Sequence, residues 1–410
     1  MHIDQPLPLL GNLSPSQFMR RHWQKKPLVV RQAVASQQPV IKRADLFRLA
    51  ALAEVESRLI TRTVRSVAPL GAGSAQSNAQ MWTLKAGPFS ARALPALSSP
   101  GWTLLVQGVD LHNASVHALL QQFRFIPDAR LDDVMVSFAS PNGGVGPHFD
   151  SYDVFLLQTS GRRRWRISRQ KTLVLQEGVP LKILQNFEAD EEFVLDAGDM
   201  LYLPPRYAHD GVAEALNDDG TVSADCITCS IGFRAPAKAE LSAEMLHRLA
   251  DFDFQGDDEA QTASKPPHLY KDPGQSATKT PAHLPVSLQN FAHQAVLQAL
   301  KNPLALACVL GEYLTEPKPA VWFEESEQAF VRNAHVGLRL DPRTRMMYDA
   351  EHVFINGESH RARGADAKLM RRLADDRALV PKDLHRASPE ASSLLSDWVS
   401  AGWVSVVTPD

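Results

Sequence analysis

Three side chains in this sequence have the types and spacing for metal chemistry. His148 and Asp150 lie two residues apart in Gly146-Pro147-His148-Phe149-Asp150, just before the apolar run Val154 to Leu157. Positions two apart on an extended chain share a face. An imidazole beside a carboxylate in a dry interior needs a common partner, because an unpaired buried charge is costly. A metal ion meets that need. His209 offers a third donor; it follows Gly198 to Pro205, which reads as a tight turn, a short strand and a proline-ended loop. Two histidines and one carboxylate make up the facial triad of non-haem Fe(II) oxygenases, which leaves open positions for oxygen and an organic co-substrate. A bare His-x-Asp pair is common by chance, and alone it reads more readily as a capped strand end with a surface carboxylate.

The next stretch separates the two readings. Val154 to Thr159, the turn Ser160-Gly161 and Arg162 to Ile167 are expected to form a hairpin. Alternation puts Arg163, Trp165 and Ile167 on one face and Arg162, Arg164 and Arg166 on the other, a solvated basic face. Arg163 is then a lone guanidinium on an apolar, inward face, and its planar fork needs a carboxylate. If no protein acid serves, a bound dicarboxylic acid does.

With these residues in place, the run Gly144 to Trp165 and the run Gly198 to His209 resemble the JmjC-type cupin oxygenases that use Fe(II) and 2-oxoglutarate. More narrowly the chain resembles the bacterial ribosomal oxygenases that hydroxylate an arginine of a large-subunit ribosomal protein, the sixteenth. Arg130 to Phe138, Gly146 to Asp150 with Tyr152 to Phe155, Gly161 to Arg166, and Ser230 to Pro236 carry the match, which spans nearly the whole chain. The resemblance implies His148, Asp150 and His209 as metal ligands and Arg163 as the co-substrate arginine. It implies Fe(II) as metal with 2-oxoglutarate and O2 as co-substrates, a ribosomal protein as substrate, and a homodimer.

Composition agrees. The chain has 410 residues, 44% hydrophobic and 22% charged, ordinary values for soluble globular domains, and its length suits two or three of them. A net charge of −3 argues against general nucleic-acid binding and leaves only local basic patches to serve it. Because Asp366, Asp375, Asp376 and Asp397 offset the basic residues of the C-terminal region, a structural or protein-contact role is expected there rather than direct nucleic-acid binding. No apolar run approaches the roughly 18 residues of a membrane span, and Met1 to Pro6 lacks the basic start and apolar core of an export signal. Three cysteines are too few and too odd for a disulfide framework, which points to a reducing, cytoplasmic setting. Cys226 and Cys229 sit three apart on an expected strand, face opposite ways and read as packing residues.

The expected class is α+β: a double-stranded β-helix (the JmjC/cupin barrel) over 1–236 with N-terminal helices, a helical dimerisation region with an extended connector over 237–315, and a winged-helix-like domain over 316–410. Ser14-Pro15-Ser16-Gln17 reads as a capped helix start, and Ala44 to Ala53 as an amphipathic helix. Strands are expected at Pro27 to Val30, Ser57 to Thr63, Met81 to Lys85, Trp102 to Gly108 and Asp133 to Phe138. Gly143 to Gly146 lack the following helix and Lys-Ser/Thr of a phosphate loop; their use is close approach of backbone to the site. Asn217 to Gly220 reads as a hairpin turn into Thr221 to Phe233. There Cys226, Thr228 and Ser230 share a small polar face, and Ser230 is a candidate second contact to the co-substrate. Asp153 and Asp210, close to the ligands in sequence, are either acids at the mouth for a cationic substrate or solvated turn residues. Beyond Pro236, helices are expected at Ala239 to Phe252 and Val286 to Thr315, broken near Pro303. A hairpin around Gly337 to Phe354, helices at Ala367 to Ala378 and Pro389 to Ala401, and a strand Trp403 to Val407 follow.

The reading is therefore an Fe(II)- and 2-oxoglutarate-dependent protein hydroxylase acting on arginine. Alternatives are a histidine hydroxylase of ribosomal proteins, a cupin enzyme using another metal, and a cupin sensor that regulates through DNA; the last is disfavoured by the net charge and the complete triad.

Overall fold

Ser14 opens the first helix as written in the sequence: its side chain accepts the Gln17 N–H, Gln17 returns the bond, and Pro15 occupies the first helical position. The computed structural model describes residues 2–35, 40–67, 77–216, 225–251, 269–273, 282–326 and 335–408, and the chain divides into two units, Met1–Ala235 and Pro236–Asp410.

In the first unit the elements run α1 (Pro15–Arg21), β1 (Leu28–Val30), α2 (Arg43–Ala50), β2 (Ser57–Val67), β3 (Ser77–Ala86), β4 (Trp102–Val106), α3 (Ala114–Gln121), β5 (Leu131–Ala139), β6 (Val154–Ser160), β7 (Arg163–Ser168), β8 (Glu191–Leu195), β9 (Met200–Leu203), β10 (Ala208–Ala213) and β11 (Cys226–Phe233). An eight-stranded sheet has the order β1-β9-β6-β11-β5-β4-β2-β3, and a three-stranded sheet the order β10-β7-β8. The first four residues of β6, Val154 to Leu157, are apolar because both faces of the strand are covered there. Phe155 and Leu157 join the large core with Phe18, Leu46, Val116 and Leu119, while Val154 and Leu156 pack with Trp165, Ile167 and Leu195.

The expected hairpin of β6 and β7 does not form. β6 has both edges taken, by β9 and β11, so the chain turns at Gly161 (φ +64°) and β7 enters the other sheet between β10 and β8. For the same reason β10 and β11, expected to flank a hairpin turn, lie in different sheets; residues 217–224 fall outside the described residues. Cys226 and Cys229 are buried and free, as packing residues, and burial pushes the Cys229 thiol up to about 12.

The second unit contains α4 (Lys238–Asp251), α5 (Val286–Leu300), α6 (Pro303–Thr315), β12 (Gly337–Leu340), β13 (Met346–Tyr348), β14 (His352–Ile355), β15 (Glu358–Arg361), α7 (Gly364–Asp376), β16 (Ala378–Leu379), α8 (Pro381–Leu384), α9 (Pro389–Ser400) and β17 (Val404–Val407). The hairpin expected around Gly337 to Phe354 is made by β13 and β14. β12 pairs with β16 and β17, while β13, β14 and β15 make a separate three-stranded sheet. Leu338, Val353, Leu373, Leu395 and Trp398 form the core of this unit. α6 packs against the core strands through Gly311, where an added Cβ would come within 2.4 Å of the Phe354 ring. Most of the expected connector, residues 252–268 and 274–281, lies outside the described residues.

Candidate metal centre and co-substrate pocket

Instead of the strand expected for it, His148 occupies the segment between β5 and β6, where it forms an isolated bridge with His209 of β10. Each backbone N–H donates to the other's carbonyl, at 2.9 and 2.8 Å, which brings the ring centroids to 4.2 Å. Nδ1 of His148 donates to the Gly146 carbonyl at 2.8 Å and Nδ1 of His209 to the Tyr207 carbonyl at 2.9 Å. A carbonyl only accepts, so both protons are fixed on Nδ1 and both Nε2 lone pairs are free. Asp150 Oδ2 lies 3.7 Å from His209 Nε2, within the reach of two metal–ligand bonds of about 2.1 Å each, the zinc–nitrogen length. The three residues offer donor atoms all within 4.8 Å of one another. Burial, and then the neighbouring His148, push the His209 pKa down to about 4, against the opposing pull of Asp150. At neutral pH the imidazole is uncharged, the form that ligates metals.

Glycines permit this closeness. An added Cβ on Gly211, two residues after His209, would come 2.6 Å from the Trp165 ring, and one on Gly144 would come 2.6 Å from the Gly211 carbonyl oxygen. The indole of Trp165 thus lies against the backbone of β10, its ring centroid 5.9 Å from that of His209.

Arg163, Trp165 and Ile167 point inward, whereas Arg162 pairs with Asp196 at 2.8 Å, and Arg164 with Glu192 and Glu214 at 2.6 Å each. Arg163 is 4% exposed. Its Nη2 reaches Ser137 Oγ at 3.4 Å, its guanidinium lies 5.8 Å from the Trp165 ring, and its Nε has no hydrogen-bond partner. No carboxylate pairs with it among the described residues. It lines a cavity of about 280 Å³ shared with His148, Asp150, His209, Thr228 and Ser230. A buried cation without a counter-ion, in one cavity with three converging metal donors, suits a metal that shares its site with a dicarboxylate. Ser230, 9% exposed, faces the cavity from β11.

Asp153 and Asp210 are neither at the mouth nor solvated. Asp153 is fully buried and accepts from the Tyr202 hydroxyl at 2.6 Å and Gln24 Nε2 at 3.0 Å, and Asp210 pairs with Arg166. Besides Asp150, the acids that line the cavity are Asp132 and Asp133, with Arg58, Gln107, Met135 and Tyr152 beside them. Gln107 Nε2 holds both Asp133 oxygens, at 3.0 and 2.9 Å. Sequence reasoning passed over these residues, yet a signal existed. Asp133, Met135 and Ser137 alternate along β5 with Val134, Val136 and Phe138, which belong to the core on the opposite face.

A family model for the JmjC domain matches residues 118–241, and one for the ROXA-like winged helix matches residues 295–405. The chain is 30% identical over 355 residues to the ribosomal protein uL16 3-hydroxylase of Escherichia coli, covering 83% of this chain and 84% of that one. It is 33% identical over 234 residues to a probable ribosomal oxygenase of Haemophilus influenzae, covering 56% and 52% of the two chains. Among solved structures, E. coli YcfD matches with a TM-score of 0.77 at 27% identity, over 96% of this chain and 98% of that one. A second structure of YcfD, in complex with cobalt and 2-oxoglutarate, matches over the same shares with a TM-score of 0.73 at 27% identity. The fold, both domain matches and the extent of these similarities agree, and the chain belongs to the JmjC-domain ribosomal oxygenases.

Proposed function

We propose that this chain is an Fe(II)- and 2-oxoglutarate-dependent oxygenase that hydroxylates C3 of an arginine in the sixteenth large-subunit ribosomal protein. The observation that carries the reading is Arg163, a buried guanidinium without a counter-ion among the described residues, in the cavity that the three metal donors share. His148, Asp150 and His209 would hold the metal, Arg163 with Ser137 would take the distal carboxylate of 2-oxoglutarate, and Ser230 would contact it from β11. When bound, Fe(II) with 2-oxoglutarate and O2 supplies an oxidative decarboxylation to succinate and carbon dioxide and the insertion of one oxygen atom into a C–H bond. The protein's own part is orientation and exclusion of water. Trp165 closes one wall, and the tautomer bonds to Gly146 and Tyr207 aim both imidazoles. Asp132 and Asp133 on the cavity wall favour a cationic arginine over a neutral histidine, because a carboxylate accepts a guanidinium fork.

The apolar residues of α5 support a further part of the reading. None of its side chains is buried, and Val286, Val296 and Leu300 are 64%, 51% and 41% exposed. We assign this face to a second copy of the chain, with 237–315 as the dimerisation region and 316–410 as the winged-helix part of a cytoplasmic enzyme.

The test is to incubate the purified chain, Fe(II) and 2-oxoglutarate with the sixteenth ribosomal protein. An arginine heavier by one oxygen, formed with equimolar succinate, is expected. Modification of a histidine, or turnover with zinc but not iron, would overturn the proposal.

A further inference from the structure

The fold gathers cations that the sequence scatters. In the second unit an open cleft is lined by Arg361, Arg363, Lys368 and Arg371, with Glu351 as its one carboxylate. Some arginines elsewhere in the unit are matched to acids, Arg343 to Asp341 at 2.8 Å and Arg372 to Asp376 and Asp383 at 3.3 and 2.7 Å. Around the cleft the carboxylate partners are fewer than the cations. Arg361 meets Glu351 at 3.5 Å. Arg371 donates to the main-chain carbonyls of Asp349 and Ala350, at 3.2 and 2.7 Å, and lies 5.4 Å over the Tyr348 ring, contacts that orient it and leave its charge uncompensated. Arg363 and Lys368 have no ion-pair partner among the described residues. Four cations against one carboxylate give the cleft a local excess of positive charge, although basic and acidic side chains nearly balance over residues 335–408.

The same cleft receives the start of α7. Arg363 is the N-cap and its side chain makes no capping bond, so the positive end of a 13-residue helix adds to the field of the side chains. The acid of that first turn, Asp366, accepts the Ser388 N–H at 3.1 Å.

We propose that this cleft binds the phosphate backbone of an RNA strand. Guanidinium forks and a lysine suit phosphate oxygens. The cleft is open to solvent rather than enclosed, which suits a phosphate on an exposed strand more than a sequestered metabolite. The contacts are to charge and carry no base readout, so binding is independent of sequence. The choice of RNA over other phosphates rests on the ribosomal substrate proposed above: a ribosomal protein is met on or beside RNA.

The probe is a short fluorescently labelled single-stranded RNA of mixed sequence, titrated by anisotropy at several salt concentrations without Fe(II) or 2-oxoglutarate. Binding is thereby read independently of hydroxylation. Arg363→Ala/Lys368→Ala changes two exposed residues and should leave the melting temperature and the hydroxylation of a substrate peptide unchanged. It should weaken RNA binding about tenfold and flatten the slope of log K against log salt by about 1.4, at about 0.7 per single-strand phosphate contact. Lys368→Glu should weaken it further. Equal affinity and slope in wild type and double variant would overturn the proposal. So would binding of inorganic phosphate, an acidic peptide or DNA with none of the RNA.

Discussion

Arg163→Ala is the perturbation with the most calculable outcome. Arg163 is the one arginine or lysine that is buried among the described residues, and its Nε has no partner. If the distal carboxylate of 2-oxoglutarate is its counter-ion, removing the guanidinium leaves that carboxylate buried and unpaired, a loss of about 3 to 5 kcal/mol. At about 1.4 kcal/mol per factor of ten, the co-substrate should bind a hundredfold to several thousandfold more weakly. The assay is a calorimetric titration of 2-oxoglutarate with an inert divalent ion in place of Fe(II). Arg162→Ala and Arg164→Ala should leave the affinity nearly unchanged, because those side chains face Asp196, Glu192 and Glu214 on the outside. Arg163→Met adds a control on folding: without ligand it removes an uncompensated buried charge at similar volume, so the apoprotein should melt at the same temperature or higher while stabilisation by 2-oxoglutarate disappears. If Arg162 or Arg164 proved the sensitive position, the facing of β7 would be wrong; if none were sensitive, the co-substrate assignment would fall.

Other outcomes follow from the same geometry. Asp150→Ala and His209→Ala should each abolish 2-oxoglutarate turnover while circular dichroism stays that of the folded chain, since each deletes one of three donors; turnover near wild type in either would contradict the metal assignment. The metal-free protein should lose stability as pH falls from about 6.5 to about 4. In that window the unfolded chain takes a proton on His209 and the folded chain does not, a loss of up to about 3 kcal/mol. Denaturant titrations across that range should show the slope, and His209→Gln should flatten it; an equal slope in the variant would refute the cause. Sedimentation at micromolar concentration should show a dimer, and deletion of residues 237–315 a monomer or aggregate; a monomeric full-length chain would refute the role given to α5.

The catalytic face of the first unit was legible because its signals are local. Ser14 to Gln17 specify their own cap, and the alternation through Arg163, Trp165 and Ile167 fixes which arginine is inside. Strand pairing was less legible. β6 and β7 are adjacent in sequence with a turn between them, but whether they pair depends on which other strands already occupy the edges of β6, a property of the whole barrel. Asp153 and Asp210 misled for a similar reason. Proximity to a ligand in sequence does not say which way a carboxylate turns, and the partners Tyr202, Gln24 and Arg166 come from distant segments. Asp133 was hidden by its type, since an acid at a strand start reads as solvated until Val134, Val136 and Phe138 are seen to fill the opposite face.

The central claim, arginine hydroxylation of a ribosomal protein, is met most directly by peptide mass spectrometry of the sixteenth large-subunit ribosomal protein from cells that carry or lack this gene. An arginine one oxygen heavier in the first and unmodified in the second is the predicted result. The same mass in both, or a difference confined to a histidine of another ribosomal protein, would contradict the account.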